Sequence, residues 1–246
     1  MRVMTFNTER EATKQSYEHV VRTILAARAD VVGLQEVDEA LIPIAEKLGW
    51  EYDIRAQVIS RYSLTYASGN WVYVHLSDEK VLLFTSIHLY STRYGPYSKL
   101  SVAKVLENEK RIRVPNLEVR LSALSNLCEN IPTVLVGDFN SPSHLDDTRV
   151  EWPATKLMEE SGFVDSYRKI HPDRDMYPGL TWWAPRAYWL KQTPEDKPRH
   201  RIDYVYTRNC TVLNSEVVGE RHTPSVDIVV YPWYSDHRGV VTEILV

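Results

Sequence analysis

Short apolar runs rich in valine, leucine and isoleucine recur along the whole chain. They show little polar alternation, which is typical of strands buried on both faces. The pattern predicts strands at residues 3–6, 31–34, 81–87, 134–136, 202–206 and 240–246. Weaker runs at residues 56–59 and 70–76 predict two further strands.

Between these runs, apolar residues recur at helical spacing. In residues 16–29, Tyr17, Val20, Ile24 and Ala27 fall on one stripe, and residues 39–48 and 117–127 carry similar stripes. Such stripes pack against a core and imply no cofactor. Strands that alternate with helices, followed by strand-dense stretches, predict an α/β fold of mixed sheets with helices on their outer faces.

The length of 246 residues lies within the range of large single domains, and neither a repeat nor a long linker divides the chain. We therefore expect one domain spanning residues 1–246. A chain of this size buries about 70 to 75% of its extended surface, so a metal ion would serve chemistry rather than folding. The proline-containing, polar residues 191–199 predict a mobile surface loop.

The net charge of −4 is unlike that of a domain whose main function is to bind a polyphosphate. Cys128 and Cys210 cannot form a disulfide framework, and we expect both to be inert core residues. The chain opens without the apolar core of a signal peptide, and no run is long enough to cross a membrane. We expect a soluble monomer, cytoplasmic if the chain is complete.

Acidic, amide and imidazole side chains fall repeatedly at or near the ends of the predicted strands. The set consists of Asn7, Glu36, His88, Asp138, Asn140, Asp203, Asp236 and His237. Taken singly, such an acid can begin a helix or form an Asx turn, and such a histidine can be a hydrogen-bonded core residue. Together, carboxylates, carboxamides and imidazoles at one rim predict a site for a hard metal ion with proton-transfer partners.

Several other chemistries are excluded by spacing. The chain contains no GxSxG, GxGxxG or P-loop pattern and no HExxH pair. Asp138 and Asn140 are spaced like the start of an EF-hand loop, but Pro142 and Ser143 stand where that loop needs an oxygen ligand and a glycine. A nucleophile elbow, a dinucleotide site and a calcium sensor are therefore not predicted.

Short motifs around the polar set occur in a fixed order. They are Thr-Phe-Asn7, Leu-Gln-Glu36-Val, Ser60-Arg-Tyr, Ser-Ile-His88-Leu, Val-Gly-Asp138-Phe-Asn140-Ser, Arg-Ile-Asp203-Tyr-Val and Tyr-Ser-Asp236-His237. In this order the chain resembles the endonuclease/exonuclease/phosphatase superfamily, which includes DNase I. The resemblance implies a four-layer α/β/β/α sandwich of two mixed sheets and divalent-metal-dependent hydrolysis of phosphoesters.

The resemblance also implies a role for each member of the set. Glu36 would be the main ligand of Mg²⁺, for which Mn²⁺ can substitute, with Asn7 and Asp236 beside it. Asp138 and Asn140 would hold and deprotonate the attacking water, and His88 and His237 would contact the phosphorane. Asp203 would fix the tautomer of His237. Sequence alone leaves open whether Asp138 or His237 takes the proton, and whether one ion or two bind.

Substrate recognition is less well defined. Residues 36–60 are short for the superfamily, which suggests trimmed loops. Tyr90 and Arg93 follow the His88 strand, and the basic stretch from there to Arg113 predicts either a solvated, mixed-charge loop or helix or a rim that faces phosphate. The aromatic stretch at residues 181–189, with Trp182 as the candidate contact, predicts either packing beneath a loop or stacking on a substrate.

The leading functional hypothesis is a Mg²⁺-dependent phosphodiesterase or phosphatase acting on a small or lipid-like phosphoester. A nuclease acting on DNA or RNA is the alternative, disfavoured by the acidic balance and the short loops. A third alternative is a catalytically idle binding module, which the complete set of acids, amides and imidazoles disfavours.

Overall fold

The computed structural model describes residues 1–127, 130–146, 150–185 and 198–246. Its strands are β1 (Arg2–Asn7), β2 (Val31–Gln35), β3 (Glu51–Asp53), β4 (Val58–Ser60), β5 (Ser63–Tyr66), β6 (Val72–His75), β7 (Val81–His88), β8 (Thr133–Asp138), β9 (Val164–Asp165), β10 (Asp203–Arg208), β11 (Thr211–Gly219), β12 (Ile228–Val229) and β13 (Gly239–Leu245). Its α-helices are α1 (Arg10–Gln15), α2 (Glu18–Ala27), α3 (Leu41–Leu48), α4 (Val102–Ile112), α5 (Val114–Ser122), α6 (Pro153–Glu160) and α7 (Ser166–Ile170).

The strands form two mixed sheets. One has seven strands in the order β12-β11-β13-β1-β2-β4-β3, and the other has six in the order β5-β6-β7-β8-β10-β9. The pairs β1–β2 and β7–β8 are parallel, whereas β13 runs antiparallel to β1 and β10 antiparallel to β8. The mixed sheets confirm the predicted fold class.

Three apolar cores separate four layers. Residues such as Val3, Val74 and Val136 fill the space between the two sheets. A second core packs helices α2 and α3 on the seven-stranded sheet, and a third packs α5 and α6 on the six-stranded sheet. The result is the α/β/β/α sandwich that the sequence predicted.

All eight predicted strands are present, and the predicted helices differ from the observed ones mainly at their ends. Helix α2 ends at Ala27 because Arg28 turns into the left-handed region, with φ of 52°. Helix α5 starts earlier than predicted, at Val114, with Pro115 in its first turn, where the missing N–H costs nothing. After Ser122 the chain continues as a 3₁₀ turn over Ala123–Asn126.

The structure describes Cys210 but neither Cys128 nor most of the predicted loop. Cys210 is half-buried, and burial raises the pKa of its thiol to about 11, so the thiol stays neutral and unreactive. Cys128 and most of the predicted loop, residues 191–197, lie outside the described residues. No helix in the described part of the chain is long and apolar enough to span a membrane.

Strand direction brings several chain ends to one rim. The parallel pairs end together at Asn7 beside Gln35, and at His88 beside Asp138. Strand β10 begins at Asp203, opposite Asp138, because it runs antiparallel to β8. Strand β13 starts just after His237 for the same reason. Polar residues far apart in sequence therefore meet at one edge of the sandwich.

Gly33 allows the two sheets to approach closely beneath this rim. A Cβ atom at residue 33 would lie 2.4 Å from Cγ2 of Val136 and 2.8 Å from Cβ of Ser86. Two residues on, Nε2 of Gln35 crosses the gap and donates to Oγ of Ser86 at 2.9 Å. These contacts hold the end of β2, and with it Glu36, against the other sheet.

Candidate active site

Asn7 links one carboxylate from each sheet. Its Nδ2 donates to Oε1 of Glu36 at 3.2 Å and to Oδ2 of Asp138 at 3.0 Å. Its Oδ1 accepts from the backbone N–H of Glu9 at 3.1 Å, which fixes the plane of the amide. The Asn7 side chain is fully buried, so these bonds form away from bulk water.

Two residues of this rim adopt the left-handed backbone region. The φ angle is 55° at Glu36 and 47° at Asn140, and neither residue is glycine. Such residues are uncommon, and strained backbone of this kind concentrates at functional sites. Glu36 directly follows β2 and Asn140 is the second residue after β8, so both conformations turn the chain where a strand ends.

Asp138 is the centre of the cluster. Its buried carboxylate accepts from the backbone N–H of Asn140 at 2.8 Å and from the side-chain amide of Asn140 at 3.2 Å. Nε2 of His88 lies 3.5 Å and Nε2 of His237 lies 3.7 Å from Oδ2. Asp138 is therefore surrounded by donors and imidazoles from four different segments.

His237 lies between two carboxylates. Its Nδ1 is 3.0 Å from Oδ2 of Asp203, and its Nε2 faces Asp138. Burial alone would lower the pKa of His237, but the charges of Asp203 and Asp138 outweigh burial and raise the pKa to about 10. The ring is therefore an imidazolium near neutral pH, with both N–H groups directed at carboxylates.

Residues without a predicted role hold His237 in place. Ser235 donates from Oγ to the backbone carbonyl of Asn7 at 2.7 Å and accepts from the backbone N–H of His237 at 3.0 Å. Thr181 accepts at Oγ1 from the backbone N–H groups of Ile202 and Asp203. Ser235 lies inside a motif of the polar set, which was a usable signal, whereas Thr181 had none.

Asp236 is hydrogen-bonded to the aromatic stretch that contains Trp182. Nε1 of Trp182 donates to Oδ2 of Asp236 at 3.3 Å, and the backbone carbonyl of Asp236 accepts from Ala184 N–H at 2.7 Å. The charge of Asp236 also contributes to the raised pKa of His237. Asp236 is therefore close to the imidazolium.

Trp182 belongs to a cluster of rings beside the site. It stacks on Trp183 with ring centroids 3.8 Å apart and lies 5.1 Å from Tyr94 and 5.8 Å from Tyr97. Its ring centroid is 6.0 Å from that of His237. Packing against these neighbouring rings accounts for much of the aromatic stretch. Trp182 is only half-buried and also lies beside His237. Tyr188 and Trp189 lie outside the described residues.

The remaining predicted rim residues stand apart from the cluster. Nη1 of Arg93 donates to Oδ1 of Asn108 on α4 at 3.3 Å, so the guanidinium points toward that helix. Tyr90 is largely exposed. The Ser60 motif lies at the far end of the sandwich, because Ser60 pairs with Val31 at the start of β2 rather than with its end.

The donor chemistry of the rim suits a divalent cation. Three carboxylates, from Asp138, Asp203 and Asp236, act on the His237 imidazolium, and Glu36 joins the group through Asn7. Carboxylate and amide oxygens are the ligands that Mg²⁺ and Mn²⁺ prefer. Ligand atoms of Asp138, Asp203 and His237 lie within 4.8 Å of one another, a spacing that could hold a metal ion. A protonated His237, however, has no lone pair to offer, which leaves the carboxylate of Glu36 as the better-suited oxygen ligand.

Two depressions flank the rim. A cleft of about 730 Å³ is bordered by Glu36 and His88. A groove of about 750 Å³ is bordered by His200 and Pro142, and its wall combines Leu100, Val105 and Trp152 with charged side chains such as Arg174 and Asp175. The cleft, which Glu36 and His88 line, therefore gives room for a group bound beside them.

Comparisons with known proteins agree with this architecture. The model of the Endonuclease/Exonuclease/phosphatase family matches residues 4–237. A Caenorhabditis elegans relative, "Uncharacterized protein F14F9.5", is 29% identical over 253 residues, which covers 86% of this chain and 80% of that protein.

Several solved structures have the same fold. The human Nocturnin catalytic domain with bound sulfate anion matches with a TM-score of 0.63 at 18% identity, covering 100% of this chain and 94% of that one. Truncated TDP2 from Caenorhabditis elegans matches with a TM-score of 0.63 at 15% identity, covering 100% and 97%. An AP endonuclease from Archaeoglobus fulgidus matches with a TM-score of 0.59 at 17% identity, covering 100% of both chains. At these identities the likeness concerns the fold.

Proposed function

Since the chain belongs to the endonuclease/exonuclease/phosphatase family, we propose that it is a divalent-metal-dependent hydrolase of phosphoester bonds. The observation that carries the proposal is the chain of contacts from Glu36 through Asn7 to Asp138, with His88 and His237 on the same carboxylate. We also propose that residues 1–246 form one such domain, because β1 and β13, from opposite ends of the chain, pair in one sheet.

Glu36, Asn7 and Asp236 are the proposed ligands of Mg²⁺, and Mn²⁺ can substitute. When bound, the ion supplies positive charge to the phosphoryl oxygens and to the leaving oxygen. The accumulated carboxylate charge of the rim supports this assignment, because several acids close together are costly without a cation. Asn7 holds Glu36 toward Asp138 and so fixes the position of the principal ligand.

Asp138 and Asn140 are proposed to hold the attacking water. The carboxylate of Asp138 accepts hydrogen bonds from Asn7 and Asn140, which hold its oxygens in place to accept a proton from water. Asn140 is itself fixed, because its Nδ2 donates to the backbone carbonyl of Leu89 at 2.9 Å. This arrangement favours Asp138 over His237 as the base, since His237 is already protonated.

His237 and His88 are proposed to stabilise the pentacovalent phosphorane. A positively charged His237 donates from Nε2 into the rim, where negative charge grows on the phosphoryl oxygens. Asp203 holds Nδ1 and so keeps Nε2 in that direction. His88 lies 3.5 Å from Asp138 and is partly exposed, so a substrate oxygen can reach its imidazole from solvent.

The substrate is proposed to be a small or lipid-like phosphoester. The net charge of −4 and the apolar wall of the groove at Leu100, Val105 and Trp152 support a substrate with a nonpolar part. A nuclease activity is the second candidate, since an AP endonuclease shares the fold. A binding module without activity is the third.

A panel of chromogenic phosphomonoesters and phosphodiesters, assayed with Mg²⁺ beside a supercoiled plasmid, tests the proposal. We expect turnover of small esters, loss of that turnover in Asp138→Asn, and unchanged turnover in Asp30→Asn, a carboxylate at the far end of β2 that accepts from Arg2 N–H. Plasmid nicking without small-ester turnover would favour the nuclease. No turnover of either would favour the binding module.

A further inference from the structure

The cleft bordered by Glu36 and His88 contains an arginine that has no acidic partner among the described residues. Arg120, on α5, lines the cleft together with residues of the β3–β4 turn and the end of β7. Its Nη1 donates to the backbone carbonyl of Gly69 and to Oγ1 of Thr85, both at 3.0 Å. Both acceptors are neutral, so they fix the guanidinium without balancing its charge.

The other two arginines of the cleft are neutralised. Nε of Arg10 lies 2.6 Å from Oδ2 of Asp38, and Nη2 of Arg55 lies 2.7 Å from Oδ2 of Asp53. Within the described part of the chain, no carboxylate lies within ion-pair distance of Arg120. Among the described arginines that line this cleft, Arg120 is therefore the one available to a ligand.

Burial makes the unpaired charge of Arg120 costly. Removal from water lowers the pKa of the Arg120 guanidinium to about 10, which still leaves it protonated at neutral pH. A buried charge is stabilised by an opposite charge, and a guanidinium offers a planar fork of N–H donors that matches phosphate oxygens. The guanidinium of Arg120 is fixed by neutral acceptors and lines the cleft beside a candidate phosphoester site, so it is suited to bind an anion.

We propose that this cleft binds a second phosphate group of the substrate, with Arg120 as its counter-charge. The reacting phosphoester lies at Glu36 and His88, and the substrate extends along the cleft to the guanidinium. This inference rests on the proposed function, because it places the reacting group at the same rim. The second phosphate belongs either to a small or lipid-like bisphosphate or to the next linkage of a nucleic-acid strand.

Calorimetry with linear alkanediol bisphosphates of increasing chain length, each compared with the alkyl monophosphate of the same length, tests the subsite. With Mg²⁺ present, we expect at least one bisphosphate to bind the wild type about ten- to a hundredfold more tightly than its monophosphate. Arg120→Gln should remove that preference and leave monophosphate binding unchanged. Arg61→Gln, which alters a surface arginine paired with Asp30, is the matched control and should keep the preference.

The same affinity for bisphosphate and monophosphate at every chain length, or a preference that survives Arg120→Gln, would overturn the proposal. Arg120 also holds the turn at Gly69, so the thermal midpoint of each variant is measured. If Arg120→Gln does not fold, Arg120→Lys is used, and the preference should shrink because the planar fork is lost. An undiminished preference in Arg120→Lys would then count against the subsite.

Inhibition of ester hydrolysis by bisphosphates and by a short oligonucleotide identifies which kind of molecule supplies the second phosphate. It also separates failure of this inference from failure of the proposed function. If Arg120→Gln weakens inhibition of ester hydrolysis by bisphosphates but not by a short oligonucleotide, the ligand is a small bisphosphate. The opposite result assigns the cleft to a nucleic-acid strand. Bisphosphate preference in calorimetry without hydrolysis of any ester would support the subsite and refute the proposed function.

Discussion

Nδ1 of His237 lies 3.0 Å from Oδ2 of Asp203 and 3.2 Å from Oδ1, and both side chains are buried. Asp203 begins β10 opposite Asp138, and His237 precedes β13, so the pair joins the two sheets. A charged pair in this position is well suited to stabilise charge at the rim without moving. The two residues should therefore act as one unit.

Deletions at His237 and Asp203 should be strongly non-additive. His237→Ala should lower kcat by about 10² to 10⁴, the range for loss of a transition-state donor. Asp203→Asn alone should also lower kcat, because the imidazole loses the charge that keeps it protonated and oriented. Added to His237→Ala, Asp203→Asn should cost little more. Losses in kcat that multiply independently, with folding verified by circular dichroism, would show that the residues act separately.

Glu36→Gln should weaken Mg²⁺ binding while leaving the fold intact. The substitution removes one negative charge from a crowded group of acids, which relieves repulsion as it removes a ligand. Isothermal titration calorimetry should show at least about tenfold weaker binding, the scale of a lost charge-assisted contact. Glu51→Gln, an exposed residue of β3, serves as the control. Equal Mg²⁺ affinity in Glu36→Gln and wild type would remove Glu36 from the ligand set.

His19 should make the protein less stable in mild acid. Burial lowers the pKa of His19 to about 4 from an ordinary value of 6.5, and its Nδ1 donates to the carbonyl of Ser16 at 2.6 Å. Below pH 6.5 the unfolded chain binds a proton at this residue that the folded protein excludes, so the free energy of unfolding falls as the pH falls. Between about pH 7 and about pH 5 the loss from this residue is about 2 kcal/mol.

Urea unfolding of wild type and His19→Gln at both pH values checks this contribution. The variant lacks the titrating ring, so its stability should fall less across the same interval. His200, whose pKa burial also lowers to about 4, should retain its own share of the acid sensitivity in both proteins. An identical fall in wild type and variant would mean that His19 titrates alike in both states.

Gly33→Ala should destabilise the protein and disturb the rim. The new Cβ would lie 2.4 Å from Cγ2 of Val136, so the sheets must separate, at a cost of about 1 to 3 kcal/mol. Gly49→Ala is the comparison, because its Cβ meets no atom within 4 Å and only the left-handed backbone, with φ of 69°, adds about 1 kcal/mol. Ester hydrolysis should fall in Gly33→Ala and not in Gly49→Ala. Equal activity in both would show that sheet spacing does not position Glu36.

The sequence predicted the central strands because continuous burial leaves continuous apolar runs. It allowed a solvated helix at α4 but not the burial there, where Glu109 and Arg113 form an ion pair at 2.6 Å that looks like surface charge in the sequence. It also did not predict β11, whose first half is partly exposed and carries polar residues. Buried charge and half-exposed strands hide the apolar signal on which such predictions depend.

The polar set at the strand ends was predictable because its members lie at or near the ends of apolar runs. The supporting contacts of Thr181 and the unpaired state of Arg120 were not, since both depend on which distant residues lie nearby. A sequence shows which side chains carry charge. Only the folded chain shows which of those charges remain without a partner.

Hydrolysis of bis(p-nitrophenyl) phosphate by the wild type after dialysis against EDTA, followed by stepwise return of Mg²⁺, tests whether catalysis at this rim needs a metal ion. We expect no turnover above background in EDTA and recovery of turnover that saturates with added Mg²⁺ or Mn²⁺. Asp138→Asn, treated identically, should not recover. Full turnover in excess EDTA, or equal recovery in Asp138→Asn, would contradict a metal-dependent phosphoesterase centred on this rim.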